Sequence, residues 1–328
     1  YLFERMFLLH GESKYIDCLE RTLYNGVISG MSMDGGRFFY PNPLSSDGKY
    51  AFNADNTKTR QPWFGCACCP SNLCRFIPSV PGYLYGVKDN NIYVNLFAGN
   101  TSTIKVQGKD VVLEETTEYP WNGDIKIAVK KSGVKNANLL VRIPGWVRNQ
   151  VVPSDLYKYS DAEKPAYTVT VNGKAVEADL DANKGYLPVN NIKKGDVIRI
   201  HFDMPVRTVV ANNKVADDKG KVAVERGPLV YCAEAVDNSN EPVLRAVVAK
   251  KPTFTLVDNY SIQNTETKGA PAFSVKAIKT DAQVLEEGAN GISVKNDKLT
   301  LIPYYAWNHR GANEMNVWFI QNLSMLDK

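Results

Sequence analysis

The spacing of apolar side chains changes near residue 83, and the change divides a helical beginning from a long β region. Over Tyr1 to His10 and Ser13 to Ser29, apolar residues recur at three- and four-residue steps, the period of one helix face. Ser13 stands where an N-cap hydroxyl accepts a free backbone N–H, and Gly30 where a helix can end. Residues 31–65 lose that period. They are rich in Gly, Pro, Asn, Asp and Ser, with Pro41-Asn42-Pro43 and Ser46-Asp47-Gly48 as turn formers, so the pattern predicts a long ordered loop with a short strand over Arg37 to Tyr40. Such loops often carry function. Asn72 to Val80 reads as a short helix that Pro78 and Pro81 end.

From Tyr83 onward the period becomes two. Ile92 to Phe97, Thr103 to Val106, Ile125 to Val129 and Tyr167 to Val171 followed by Asn172-Gly173 read as strands, as do Val197 to Phe202, Val222 to Glu225, Leu229 to Cys232 and Leu299 to Ile302. Their intervals are typical of antiparallel sandwiches. The expected fold is therefore mainly β, a short helical segment followed by antiparallel β-sandwich units. The division is 1–82, helical and loop, carrying a cysteine cluster; 83–236, a first β-sandwich; and 237–328, a second β unit with a strand returning to the first.

A length of 328 residues agrees with two or three domains that need no staples. Hydrophobic and charged contents of 44% and 23% are those of ordinary soluble protein, and a net charge of +4 spread along the chain leaves no basic face for phosphates. No nucleic acid partner is expected. No run of eighteen apolar residues exists, and Glu4 and Arg5 fall where a secretion signal would carry its apolar stretch, so neither a membrane span nor a leader is read. Because the sequence opens on Tyr1 inside an apolar pattern, the expectation is a processed or truncated piece of something longer.

Sulfur is the main candidate chemistry. Of six cysteines, four crowd into Cys66-Ala67-Cys68-Cys69-Pro70-Ser71-Asn72-Leu73-Cys74. Thiols beside Gly and Pro turns can share a soft metal ion or hold one member as a reactive thiolate. Adjacent cysteines also occur as buried small residues or disulfide partners, and spacing alone leaves these readings open. A second conflict sits in the second helix, where Ile16, Leu23, Tyr24 and Val27 surround Glu20 at helical spacing and place its carboxylate in the apolar stripe. An unpaired charge there costs several kcal/mol, so Glu20 requires an arginine, a metal, a hydrogen-bond donor or a site cavity. Arg5, Arg21, Arg37, Arg60 and Arg75 are the candidates near in sequence for a structural ion pair.

Three linked motifs, Glu20-Arg21-Thr22-Leu23-Tyr24-Asn25-Gly26, Arg37-Phe38-Phe39-Tyr40-Pro41-Asn42-Pro43-Leu44 and Trp63-Phe64-Gly65-Cys66-Ala67-Cys68-Cys69-Pro70-Ser71-Asn72, resemble in order and spacing the β-L-arabinofuranosidase group of glycoside hydrolases, families 127 and 146. Leu140-Val141-Arg142-Ile143-Pro144-Gly145-Trp146 and Glu225-Arg226-Gly227-Pro228-Leu229-Val230-Tyr231 resemble its β region, so the likeness spans nearly the whole chain. The resemblance implies an (α/α)₆ barrel, of which residues 1–82 would be a remnant, followed by β-sandwich domains. It implies cleavage of terminal L-arabinofuranose from plant glycans, and a periplasmic or secreted location. By position, Cys68 would be the nucleophile and, with Cys69, a zinc ligand, while Glu20 would accept sugar hydroxyls. The reaction would pass through a glycosyl thioether with retained configuration, a cysteine counterpart of the two-carboxylate mechanism.

The resemblance also implies a Glu-x-Cys motif with two further zinc ligands, and a glutamate acid/base, upstream of the stretch matched here. Neither is in this chain, so zinc is expected in a full-length parent and doubtful in this chain, which would be a carboxyl-terminal part lacking full activity and partnered by an upstream helical domain. Tyr40, Trp63 and Phe64 offer rings to a sugar, or packing anchors; Tyr40 is taken as a substrate contact. His10, His201 and His309 lack metal spacing and read as structural, Cys18 and Cys232 as small core residues, Trp121, Trp146, Trp307 and Trp318 as core or seam fillers, and Asp217-Asp218 and Glu286-Glu287 as solvated turns. Two rival readings are a carbohydrate-binding or structural β module and an autonomous metal or redox site built from Cys66, Cys68, Cys69 and Cys74.

Overall fold

A computed structural model describes residues 1–249, 251–288 and 291–322, and their side chains except those of 286–288 and 291–292. Glu286 and Glu287 thus lie outside the described side chains; their backbone belongs to strand Phe273–Gly288 and not to a turn. Backbone packing groups the chain into two compact units, one of Tyr1–Glu20, Phe76–Ser154 and Ala162–Pro205, the other of Arg21–Arg75, Asp155–Asp161 and the chain from Val206 onward. The sequence divides the β region at 236, whereas strand pairing joins Val206–Ala211, Lys221–Arg226 and Leu229–Glu234 to the later strands. Among the described residues no helix is long and apolar enough to cross a membrane.

In the first unit, helix α1 (Leu2–His10) buries Phe7 against the rings of Tyr93 and Tyr186, at 5.5 and 6.2 Å between centroids. Gly11 ends it in the left-handed region, φ 64°, and donates its N–H to Phe7 O at 2.7 Å. Gly86 lets the strand beneath approach, since a Cβ there would stand 2.9 Å from the Phe7 ring. Helix α2 (Ser13–Arg21) follows, with Ile16, Leu19 and Glu20 buried. Ser13 is the first helical residue instead of a cap, and its hydroxyl accepts Arg148 Nη2 at 2.9 Å.

Among the described residues this unit holds two sheets. A six-stranded antiparallel sheet runs in the order Lys174–Ala175, Tyr167–Val171, Val197–Phe202, Asp124–Ser132, Lys109–Thr117, Asn100–Val106. A four-stranded sheet runs Tyr186–Val189, Asn138–Arg142, Asn91–Val94, Tyr85–Lys88, its middle pair parallel. Alternation is strict in Val197–Phe202: Ile198, Ile200 and Phe202 are buried, while Arg199 and His201 face solvent. Asn172 and Gly173, both at positive φ, make the expected tight turn. Trp146 is buried as expected; Trp121 is 40% exposed and fills no core.

In the second unit the helix expected to run to Ser29 changes to a π turn at Thr22–Val27 and a 3-10 turn at Ile28–Gly30. Within the widened turn the Asn25 amide donates to Pro228 O and accepts Val230 N–H, both at 2.8 Å. Arg21 pairs with Glu225, so the motif at 21–26 clamps the motif at 225–230. The expected strand at 37–40 is reduced to single bridges from Phe38 to Met31 and Gln61. Helix α3 (Cys68–Phe76) begins four residues earlier than its pattern indicates, because Cys68-Cys69-Pro70 supplies a first turn in which proline's missing N–H is no loss.

An eleven-stranded sheet carries this unit among the described residues, from Ser45–Asp47 at one end to Tyr157–Tyr159 at the other. Leu229–Glu234 also pairs with Lys221–Arg226, which closes part of the path on itself. Ser45–Asp47 pairs antiparallel with Glu314–Asn316, stitching the long loop to the sheet.

Glu115 in the first unit is 3% exposed and accepts the Tyr85 hydroxyl at 3.0 Å and Ala98 N–H at 3.1 Å. Burial nonetheless pushes its carboxyl up to about 8 from an ordinary 4.5. Between those values the folded state holds a proton that the unfolded chain has released, so the contribution of Glu115 to stability is full below about pH 4.5 and falls as pH rises toward 8, by at most about 1.4 kcal/mol per pH unit. Glu115→Gln, which imitates the protonated acid, is expected to flatten that slope; urea midpoints read from hydrogen exchange of the Ile125–Val129 amides between pH 4.5 and 8 check this.

Candidate active site

Cys68 and Cys69 open helix α3, where free backbone N–H groups favour negative charge. Cys68 Sγ is solvent-exposed and lies 2.6 Å from the Tyr40 hydroxyl. Its thiol is pushed down, first by the hydrogen bond from Tyr40 and with smaller help from Cys69 and Cys66. Tyr40 moves the other way, raised by hydrogen bonding to Cys66 and Cys68. Burial pushes the Cys69 thiol up, and Cys68 beside it adds to the rise. Three groups within reach of one another are thus ordered, with Cys68 the most readily ionised thiol of the pair.

Cys68 and Cys69 Sγ stand 3.9 Å apart. Two thiolates on one tetrahedral zinc, each at roughly 2.3 Å, would stand about 3.8 Å apart, so the pair fits half of a zinc shell. Among the described residues no group of three or more His, Cys, Asp or Glu side chains is arranged to hold a metal ion. Cys66 approaches Tyr40 and Cys68, and Cys74 lies exposed farther along α3.

The loop bearing Tyr40 is anchored from below. Arg60, 0% exposed, donates to Ser29 O at 2.9 Å, to Trp307 O at 3.0 Å and to Glu266 Oε2 at 3.2 Å, and its guanidinium lies 4.3 Å from the centre of the Phe39 ring. Phe39 in turn stacks on Trp307 at 5.2 Å. His309, buried, accepts Met33 N–H at 3.0 Å and contacts Ala306 O at 2.9 Å; burial pushes it down to about 3, so it is neutral. His201 lies between Asp124 at 2.7 Å and Asp203 at 3.1 Å. Both histidines therefore have partners that the sequence did not reveal. Phe64, 4% exposed, meets the Tyr40 ring edge-on at 5.2 Å, whereas Trp63 is 55% exposed.

Glu20 belongs to the first unit, where it is 2% exposed. Its carboxylate meets Arg142 at 2.5 and 3.3 Å and accepts the Tyr119 hydroxyl at 2.9 Å. Arg142 also pairs with Asp17 at 2.7 Å and donates to Asn95 O at 2.5 Å. Although burial opposes its charge, attraction to Glu20 and Asp17 holds Arg142 above its ordinary range. The arrangement is the structural ion pair that the sequence left open, with an arginine absent from the nearby candidates.

Residues 1–82 match the family described as the β-L-arabinofuranosidase GH127 catalytic domain, 91–204 its middle domain and 206–320 the glycoside hydrolase family 127 C-terminal domain. The chain is 32% identical over 329 residues to the non-reducing end β-L-arabinofuranosidase of Bifidobacterium longum subsp. longum, covering 96% of this chain and 46% of that protein. A solved structure described as a GH127 β-arabinofuranosidase superposes with a TM-score of 0.88 at 51% identity, covering 99% of this chain and 48% of the other. The GH127 β-L-arabinofuranosidase from Geobacillus stearothermophilus T6 gives 0.80 at 32% identity, covering 98% and 48%. The chain belongs to glycoside hydrolase family 127. It spans about half the length of the GH127 relatives it matches.

In this GH127 chain the second unit holds Tyr40, Cys68 and Cys69 together, and within the first unit Glu20 pairs with Arg142. Sequence reasoning missed Arg142 as its partner, although an arginine at an inward position of Leu140-Val141-Arg142-Ile143 carried the signal: a buried cation needs a buried anion. Glu20→Ala is expected to lower stability by about 3–5 kcal/mol, since it strands a buried guanidinium. A urea titration checks it; an unchanged midpoint would return Glu20 to the role of a ligand contact.

Proposed function

We propose that this chain carries the nucleophile of a retaining glycoside hydrolase that releases terminal L-arabinofuranose from arabinose-containing glycans. The observation that carries the reading is the exposed Cys68 sulfur on the first turn of α3, with the Tyr40 hydroxyl 2.6 Å from it, inside the stretch that matches the family's catalytic domain. A thiolate at this point attacks the anomeric carbon as the glycosidic C–O bond breaks, and the leaving oxygen takes a proton from an acid elsewhere in the polypeptide. Water then attacks the same carbon, the C–S bond breaks, and the second inversion restores the starting configuration.

Cys68 and Cys69 would hold zinc, which when bound keeps the nucleophilic thiol ionised at neutral pH. Four-coordinate zinc takes about four donors, so the remaining ones are assigned, with the acid/base group, to the half of the relatives' length that this chain does not span. Tyr40 holds the charge on sulfur and offers its ring edge to the bound sugar; Glu20 holds α2 through Arg142.

In a parent-length protein, Cys68→Ser is expected to lower turnover of an aryl β-L-arabinofuranoside by about three orders of magnitude or more. Slow substrates should leave an arabinosyl group on the Cys68 peptide, seen by mass spectrometry. The 328-residue chain alone is expected to give little turnover and to bind zinc weakly. Full activity of Cys68→Ser, or an adduct on another residue, would sink the assignment.

A further inference from the structure

The Tyr40 hydroxyl stays 2.6 Å from the Cys68 sulfur only if its backbone is held in register, and no regular element does so. The segment around it makes single bridges at Phe38 and then runs into Pro41-Asn42-Pro43. One side chain takes the place of a sheet. Asn53, 4% exposed, accepts the Tyr40 backbone N–H on Oδ1 at 2.8 Å and donates Nδ2 to Thr59 O at 2.9 Å. Its own N–H donates to Thr57 O at 3.0 Å. The Asn53 amide therefore joins, beside the Phe38–Gln61 bridge, the segment that presents the phenol to the segment that leads, through Arg60 and Phe64, into the cysteine cluster, and it is the link made at Tyr40 itself.

We infer that Asn53 is a positioning residue that sets the Tyr40 hydroxyl against the Cys68 sulfur. The role needs an amide. One end must accept an N–H while the other donates to a carbonyl, and with the side chain buried, water is a poor substitute. Aspartate keeps the acceptor and turns the second contact into repulsion between two oxygens; alanine removes both. Calling Cys68 a nucleophile rests on the function proposed above, but the contact between phenol and sulfur does not.

The test reads sulfur reactivity in the 328-residue chain, with chelator present, as iodoacetamide alkylation at pH 7 followed separately at Cys68, Cys74 and Cys232 by peptide mass spectrometry. Tyr40→Phe removes the donor and is expected to slow Cys68 roughly three- to tenfold, leaving Cys74 unchanged. Asn53→Asp and Asn53→Ala should reproduce that selective slowing, and Tyr40→Phe combined with Asn53→Asp should be no slower than Tyr40→Phe alone. Wild-type Cys68 rates in both Asn53 variants, or additive slowing in the double variant, would overturn the inference. So would acceleration at all three thiols including buried Cys232, the mark of a merely structural role. Because alkylation and not turnover is read, the outcome stands apart from whether the parent protein cleaves arabinofuranosides.

Discussion

A guanidinium sealed from water must find acceptors inside the protein for N–H groups that never lose their proton, and Arg60 finds them in segments far apart in sequence. Ser29 O comes from the end of the π and 3-10 turns, Trp307 O and Glu266 from the carboxyl-terminal region, and Phe39 supplies a ring face. Removing an acceptor would leave a buried donor short of a partner, so the segments stay together or the arginine is expelled. The loop from Met31 to Ala67 has almost no sheet of its own, and its order derives from this cation, from the strand Ser45–Asp47, and from the Asn53 amide above it. The site depends on the arginine without touching it.

The same logic divides the buried ions of the chain. Glu20 and Arg142 in the first unit, and Arg60 and Glu266 in the second, each sit in a network where hydrogen bonds satisfy the remaining atoms. Buried pairs of this kind contribute little net stability compared with apolar packing, but they penalise every arrangement in which the partners are apart. Such specificity matters where a loop must hold a phenol to within hydrogen-bond reach of a sulfur.

Much of the strand content was legible because alternation is a direct record of a two-faced sheet; Val197–Phe202 coincides with its pattern residue for residue. Lys109–Thr117 and Phe273–Gly288 were not recognised, since both carry charged residues at several outward positions and read as polar. The sulfur cluster and Tyr40 were visible as residue types, and the motifs that join them point to one family. Invisible were the connections made by single side chains across long sequence separations: Arg142 to Glu20, Asn25 to Pro228, Asn53 to Tyr40. Periodicity reports faces, and none of these contacts is a face. The π turn was equally hidden, and the Asn25 amide within it meets a turn more than two hundred residues away.

Which of two adjacent thiols ionises the more readily is decided by reciprocity. A hydrogen bond between Tyr40 and Cys68 lowers the thiol and raises the phenol together, since one proton lies between them and only one atom can carry the charge. A free thiol ionises near 8.5 and a phenol near 10, so the charge settles on sulfur. Once it is there, Cys69 meets a neighbouring negative charge in addition to its partial burial and is driven the opposite way. Two chemically identical groups, 3.9 Å apart, thereby become distinct before any cation arrives. A divalent ion would ionise both, but of these two sulfurs the phenol meets Cys68, which is also the exposed one. The preference for that position follows from exposure and donor placement, both set by the loop that carries Tyr40.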